Sequence, residues 1–327
     1  MTVRLGVAVE RWPIAGRFTI SRGSRTEAVV VVATIRAGDH VGRGECVPYT
    51  RYGETVEGVA AAIEAQWQLV EHGLDRAALQ DALPAGAARN ALDCALWDLD
   101  AKRSGRRAWE LAGARAPQGV TTAYTLSLGT PAEMRVAAQA ASVRPLLKVK
   151  LGGAGDAERI RAVREGAPGA TLIVDANEAW RAETLGENLA ACAAAGVALI
   201  EQPLPAGDDA ALDQVRTTIP ICADESFHDR GSFDAIAERY QAINIKLDKT
   251  GGLTEALQVV RMARARGLQV MVGCMLGTSL AMAPAMLLAG EAEFVDLDGP
   301  LLLAKDREPG LRFDGSRVSP PDAALWG

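Results

Sequence analysis

The chain reads as an α/β protein, a TIM-like barrel of (β/α)8 type behind an N-terminal α+β capping domain, and three observations point there. From about residue 120 onward, short apolar runs alternate with Ala-rich helical stretches. Most of these runs end near a charged residue or a glycine, and the end points recur every 22 to 27 residues, the length of one βα unit. The first third of the chain lacks that rhythm and mixes Val/Ile-rich segments with amphipathic ones.

In that first third, residues 3–9 and 29–36 (VVVVATIR) are strand-like. Residues 56–72 and 87–103 read as helices. In the second of these, Ala91, Cys94, Ala95 and Leu99 share one face at helical spacing, and Gly105 supplies the stop. Eight barrel strands follow: TAYTL (122–126), LLKVKL (146–151), LIVDAN (172–177), LIEQP (199–203), ICADES (221–226), INIKL (243–247), QVMVGC (269–274) and FVDLDG (294–299). Their end residues are Lys150, Asp175, Glu201, Asp224, Lys246, Gly273 and Asp298. The tail carries one short strand candidate, LRFDG (311–315), and is expected to return to the first domain. The expected division is a cap over 1–115, a catalytic barrel over 116–300 and a returning segment over 301–327.

Composition narrows the functional classes. The net charge of −6 and the absence of a basic stripe argue against a nucleic-acid surface. No apolar run reaches the roughly 18–20 residues that span a membrane, and no N-terminal segment reads as a signal peptide. Five scattered cysteines without a CxxC pair suggest neither a zinc site nor a disulfide framework, so a cytoplasmic setting is expected. Basic charge is mostly Arg; the only lysines are Lys102, Lys148, Lys150, Lys246, Lys249 and Lys305. Lys at a buried position stands out because it can give up its proton and Arg cannot.

In such a barrel the active site lies at the C-terminal ends of the strands. Strands three, four and five there deliver Asp175, Glu201 and Asp224. Three converging carboxylates need a cation, and hard oxygen ligands without His or Cys favour Mg²⁺. Lys148 and Lys150, two apart on strand two, face the same way. Lys246 on strand six lies on the opposite side of the barrel. A lysine on each face is what inversion of a carbon centre by proton transfer requires, provided one of them has a depressed pKa. Ordinary ion pairing with the carboxylates is the competing reading, above all for Lys148. Asp296 and Asp298 share a face of strand eight, across from the metal, and suit the cationic end of a substrate whose carboxylate sits on the ion. A dipeptide has that polarity; capping or loop bracing is the alternative for one of the pair. Asn177 and Asn244 share faces with Asp175 and Lys246 and are candidates to orient ligands.

KVK (148–150), DAN (175–177), EQP (201–203), ADES (223–226) and NIKLDKTGG (244–252) resemble, in order, the motifs of the enolase superfamily and its muconate-lactonizing-enzyme-like subgroup. DLDGP (296–300), FTISRGSRTEA (18–28), CVPYTRYGET (46–55), LPAGAARNALDCALWDLDAK (83–102) and GCMLGTS (273–279) are similar to its dipeptide epimerases. The resemblance implies a (β/α)7β variant of the barrel, one Mg²⁺ on Asp175, Glu201 and Asp224, and Lys150 and Lys246 as the two bases with Lys148 assisting. It implies that Asp296 and Asp298 bind the substrate ammonium. It also implies that Arg22 meets a side-chain carboxylate, with Arg17 and Arg25 as equally available alternatives. Cys274 and Met275 are implied as further substrate contacts and Glu225 as a supporting residue. The implied reaction interconverts L-Ala-L-Glu and L-Ala-D-Glu through an ene-diolate, in muropeptide recycling, in a homo-oligomer. An o-succinylbenzoate synthase or an N-acylamino-acid racemase would use the same lysines and metal, but would leave Asp296 and Asp298 without an ammonium. A non-catalytic binding protein on the same fold is the remote alternative.

Overall fold

A computed structural model describes residues 3–327. The cap is an antiparallel sheet in the order β1 (Val3–Ile20), β2 (Gly23–Ala37), β3 (His40–Cys46), followed by helices α1 (Val56–Glu64), α2 (Trp67–Glu71), α3 (Arg76–Ala82) and α4 (Ala87–Ser104). β1 and β2 run well beyond the segments expected from the sequence. The added part of β2 (Gly23–Glu27) is exposed and polar, and that of β1 is interrupted by Pro13 and Gly16, so neither shows a regular strand pattern; the ladder that pairs Phe18 with Arg25 and Ile20 with Gly23 holds them together. The hairpin tip so formed carries Ser21 and Arg22. The single helix expected over 56–72 is broken at Ala65–Gln66, which turns Trp67 out to 53% exposure while Val70 stays buried.

β3 and α3 carry no clear sequence signal, and for β3 the reason is physical. Gly42 and Gly44 lie directly beneath α4, where an added Cβ would stand 2.1 Å from Ala95 O and from Ala91 O respectively. The strand is poor in β-formers because it is shaped for a close helix. α4 is consequently buried nearly all round. Ala91, Ala95 and Leu99 face the cap sheet, and three of its polar residues reach the barrel: Asp93 accepts from Thr254, Asn90 donates to Asp248, and Arg89 donates to the carbonyls of Thr250 and Gly251.

After β4 (Val120–Thr121) the barrel strands are β5 (Tyr124–Leu126), β6 (Leu146–Lys150), β7 (Thr171–Asp175), β8 (Val197–Glu201), β9 (Ile221–Ala223), β10 (Ala242–Ile245), β11 (Gln269–Val272) and β12 (Phe294–Val295). They form one eight-stranded parallel sheet in sequence order. Ala123 N–H donates to Val295 O at 2.8 Å and joins its two ends. Helices cover most crossovers. Between β8 and β9 there is only a 3₁₀ turn (Ala210–Gln214), in a connection carrying Pro203, Pro205, Gly207 and Pro220, which resist a longer helix. The strand period of two layers the lumen. Leu146, Ile173, Leu199, Cys222, Ala242 and Met271 cluster at the base. Two positions further along, five of the six strands place Lys148, Asp175, Glu201, Asp224 and Asn244, and four positions further Lys150, Asn177 and Lys246 complete the polar rim.

The tail adds β13 (Phe313–Asp314) and β14 (Arg317–Val318), which pair with β4. It ends against α4, where Trp326 Nε1 donates to Cys94 O and Gly327 N–H to Asp98. No helix among the described residues is long and apolar enough to cross a membrane.

Candidate active site

Asp175, Glu201 and Asp224 end or immediately follow three adjacent strands and are all buried, with oxygens within 4.8 Å of one another. The register that sets Lys150 beside Asp175 and Asp175 beside Glu201 brings them together. Neighbouring groups hold each in place. Asn177, at a φ of 43°, donates its backbone N–H to Asp175 Oδ1 at 2.9 Å. Asn244 Nδ2 donates to Glu201 Oε1 at 2.8 Å. Gln202 Oε1 accepts from the backbone N–H of Asp224 and of Ser226.

Lysines stand at both flanks. Lys150 Nζ is 2.6 Å from Asp175 Oδ2, and Lys246 Nζ is 2.7 Å from Asp224 Oδ2. Lys148, lower in the lumen, lies 2.7 Å from Glu201 Oε2 and 2.8 Å from Asp296 Oδ2. Asp296 is therefore one ammonium away from the triad rather than across the pocket from it as expected, because strands two and eight flank the same short strand one at the closing seam. Burial pulls both Lys148 and Lys246 down. The surrounding carboxylates outweigh it, Asp296 and Glu201 for Lys148 and Asp224 and Glu201 for Lys246, so each is held well above the usual lysine value. The depressed lysine pKa expected from the sequence is thus reversed for Lys246 while the carboxylates carry their full charge. Those carboxylates are the same groups a divalent cation would claim. The site fits such an ion: three hard oxygen donors with no soft ligand, and Glu201 Oε2 buried without an aligned hydrogen bond.

A cavity of about 410 Å³ opens above the triad, bounded by Arg22, Tyr49 and Tyr52 from the cap and by Lys150, Asp224, Lys246, Cys274 and Met275 from the barrel. Arg22, not Arg17, reaches into it; Arg25 lines it too, with its guanidinium 5.6 Å from the Tyr49 ring. The Arg22 fork is already spent on protein groups. Nη2 donates to Glu225 Oε1 at 2.7 Å and to Tyr49 OH at 2.9 Å, and Nη1 to Asn177 O and Glu178 Oε2. Glu225, raised by burial and then by Asp224 and Asp175, is drawn back by Arg22. A ligand carboxylate at Arg22 must therefore displace a protein partner.

Asp298 does not stand free beside Asp296. Its Oδ2 accepts from Thr125 N–H at 2.6 Å, bracing the seam between the first and last strands. Asp296 Oδ1 is buried and has no hydrogen-bond partner among the described residues. Three contributors escaped the sequence reading. The Lys249 side chain is 0% exposed, with Nζ 2.6 Å from Asp224 Oδ1; it is legible in the sequence only as one of six lysines and as part of the NIKLDKTGG motif, without a role. Gln202 falls within the strand run 199–203 and the EQP motif, but neither gives it a role. Glu178, beside the DAN segment, ties cap to barrel through contacts that no local pattern encodes.

A capped barrel with a buried carboxylate triad between two lysines has the donors to hold a cation and two groups able to exchange a proton with a molecule in the cavity above. The chain belongs to the mandelate racemase/muconate lactonizing enzyme family: the family's N-terminal domain matches residues 2–113, and the enolase C-terminal domain-like unit matches residues 132–324. The L-Ala-D/L-Glu epimerase of Escherichia coli (strain K12) is 51% identical over 306 residues, covering 93% of this chain and 95% of its own. The N-acetyl-D-glutamate racemase of a Pseudoalteromonas species is 45% identical over 300 residues, covering 91% of this chain and 95% of its own. A crystal structure of an enolase family member from Agrobacterium tumefaciens with homology to dipeptide epimerases, with bound sodium and L-Ala-L-Glu, superposes with a TM-score of 0.98. It is 54% identical, and the match covers 99% of this chain and 100% of that one.

Proposed function

We propose that the protein is an isomerase, a Mg²⁺-dependent dipeptide epimerase that interconverts L-Ala-L-Glu and L-Ala-D-Glu by moving the α-proton of the C-terminal residue. The observation that carries this reading is the placement of Lys150 and Lys246 on the strands that flank the triad, each touching an outer carboxylate of it. Asp175, Glu201 and Asp224 would hold the ion, which supplies positive charge that seats the substrate carboxylate and stabilises the charge developed when its neighbouring carbon is deprotonated. One lysine Nζ, in its neutral form, takes the proton from one face, and the other, as an ammonium, returns one to the opposite face. The two then exchange protonation states with solvent before the next turnover in the same direction. Lys148 adds positive charge beneath the site, and Asp296 offers its unpaired oxygen to the dipeptide ammonium, with Asp298 bracing the seam beside it. Arg22 leaves Glu225 for the Glu side-chain carboxylate, Cys274 and Met275 bound the pocket, and the capping loops exclude water. Five unpaired thiols suit a reducing cytoplasm, where we place the enzyme.

The competing substrate class is an N-acylated amino acid, which has no ammonium. The buried, unpaired Asp296 Oδ1 favours the dipeptide. The test is NMR in D₂O with Mg²⁺ and L-Ala-L-Glu, run beside N-acetyl-L-glutamate. Loss of the Glu α-proton signal with appearance of L-Ala-D-Glu is expected. Turnover of the N-acetyl compound alone would move the assignment to the racemase class. Lys150→Ala and Lys246→Ala are each expected to lower turnover by at least about 100-fold, and full turnover in either would sink the two-base assignment.

A further inference from the structure

Glu178 stands outside the triad and touches neither lysine base, yet it gathers more of the cap than any residue in the site. Its backbone sits at a φ of 68°, in the left-handed region that a side-chain-bearing residue adopts only when its surroundings demand it. What demands it is a convergence of segments. Arg51 donates to the Glu178 carboxylate twice, from Nε at 2.8 Å and from Nη2 at 2.7 Å, in the paired geometry of an Arg fork. Arg22 Nη1 donates to Oε2 at 3.2 Å, and Ala206 N–H to Oε1 at 2.8 Å. The Glu178 N–H donates to Gln202 O, and Ser21 Oγ donates to the adjacent Asn177 carbonyl. One carboxylate, 10% exposed, therefore joins the hairpin tip at 21–22, the cap loop at 49–53 and the loop after β8.

We infer that Glu178 is a positioning residue that latches both capping loops onto the barrel mouth and sets the aim of Arg22. Two guanidinium groups share this corner and repel each other; the carboxylate between them makes their approach favourable. Arg22 is held from one side by Glu178 and Asn177 O and from the other by Glu225 and Tyr49. When a ligand carboxylate takes the Glu225 side, the Glu178 side keeps the guanidinium in place. Acidic ligands thus depend on the latch more than neutral ones do. This inference rests on the dipeptide reading for its kinetic consequence, but not for the latch itself.

The experiment uses the full chain as wild type, Glu178→Gln and Arg51→Gln. The first keeps the shape and an acceptor for Ala206 N–H, and the second removes the same bond from an exposed position, so that a folding defect in one variant does not decide the outcome. Amide hydrogen exchange without substrate is expected to quicken by about fivefold or more in peptides covering 19–26 and 49–54, with barrel-core peptides unchanged. With L-Ala-L-Glu, KM is expected to rise roughly three- to tenfold with kcat nearly constant, and a dipeptide ending in a neutral residue is expected to shift by less than about twofold. Wild-type exchange in both loops of both variants overturns the latch. Equal KM shifts for acidic and neutral dipeptides overturn the aiming of Arg22. A wild-type protein that epimerises no dipeptide would sink the functional reading, and the exchange data would still decide the latch.

Discussion

Lys249 offers a quantitative test of the charge network under the site. Its ammonium is fully buried, 2.6 Å from Asp224 Oδ1, 2.6 Å from Asp224 O and 3.0 Å from Asn244 O. Lys249→Met keeps the aliphatic stem and removes these three bonds. The loss is not simply three times the cost of one. Asp224 O still accepts from Phe227 N–H at 3.1 Å, and Asp224 Oδ2 keeps Lys246 at 2.7 Å. The carboxylate oxygen Oδ1 loses its only close cation among the described residues. Breaking a buried pair typically costs about 3–5 kcal/mol because a buried charge is left behind, and the remaining Lys246 contact places this case at the lower end, about 3 kcal/mol. Urea unfolding followed by tryptophan fluorescence, with a chelator present, is the assay. The midpoint is expected to fall with an unchanged slope. Added Mg²⁺ is expected to restore part of the loss, since a bound cation replaces the missing charge. A loss below about 1 kcal/mol, the value of an exposed pair, would refute the reasoning.

Two further outcomes follow from the electrostatics. Burial lifts Asp93 from 3.8 to about 6 against its bonds from Thr254, so between those values the folded chain keeps a proton that the unfolded chain has lost, and stability falls as pH rises. Asp93→Asn is expected to flatten the decline of Tm over that window, worth up to about 3 kcal/mol, and an unchanged slope would show that Asp93 is not its source. Stripping divalent metal is expected to abolish α-proton exchange but to lower Tm by no more than about 6 °C, since Lys148, Lys150 and Lys246 already pair with the triad. Loss of the cooperative transition on chelation would mean that the ion holds the barrel together.

The strand rhythm and the rim residues were legible in the sequence because both are local properties. Inward-facing positions alternate along a strand, so Leu146, Lys148 and Lys150 had to share a side, and the spacing of βα units puts Asp175, Glu201 and Asp224 at consecutive strand ends. β3 was illegible for the opposite reason: Gly42 and Gly44 answer to a helix some fifty residues away, and the local pattern shows only two weak β-formers. Tertiary structure alone decided how the charges are shared. Thr125 claims Asp298, Lys148 bridges Asp296 to Glu201, and Glu225 and Glu178 divide Arg22 between them. These partners are separated along the chain by tens to hundreds of residues and meet only when the seam closes and the cap docks. A carboxylate's partner is then the nearest donor that geometry admits, a choice that depends on ångströms and is absent from any local pattern.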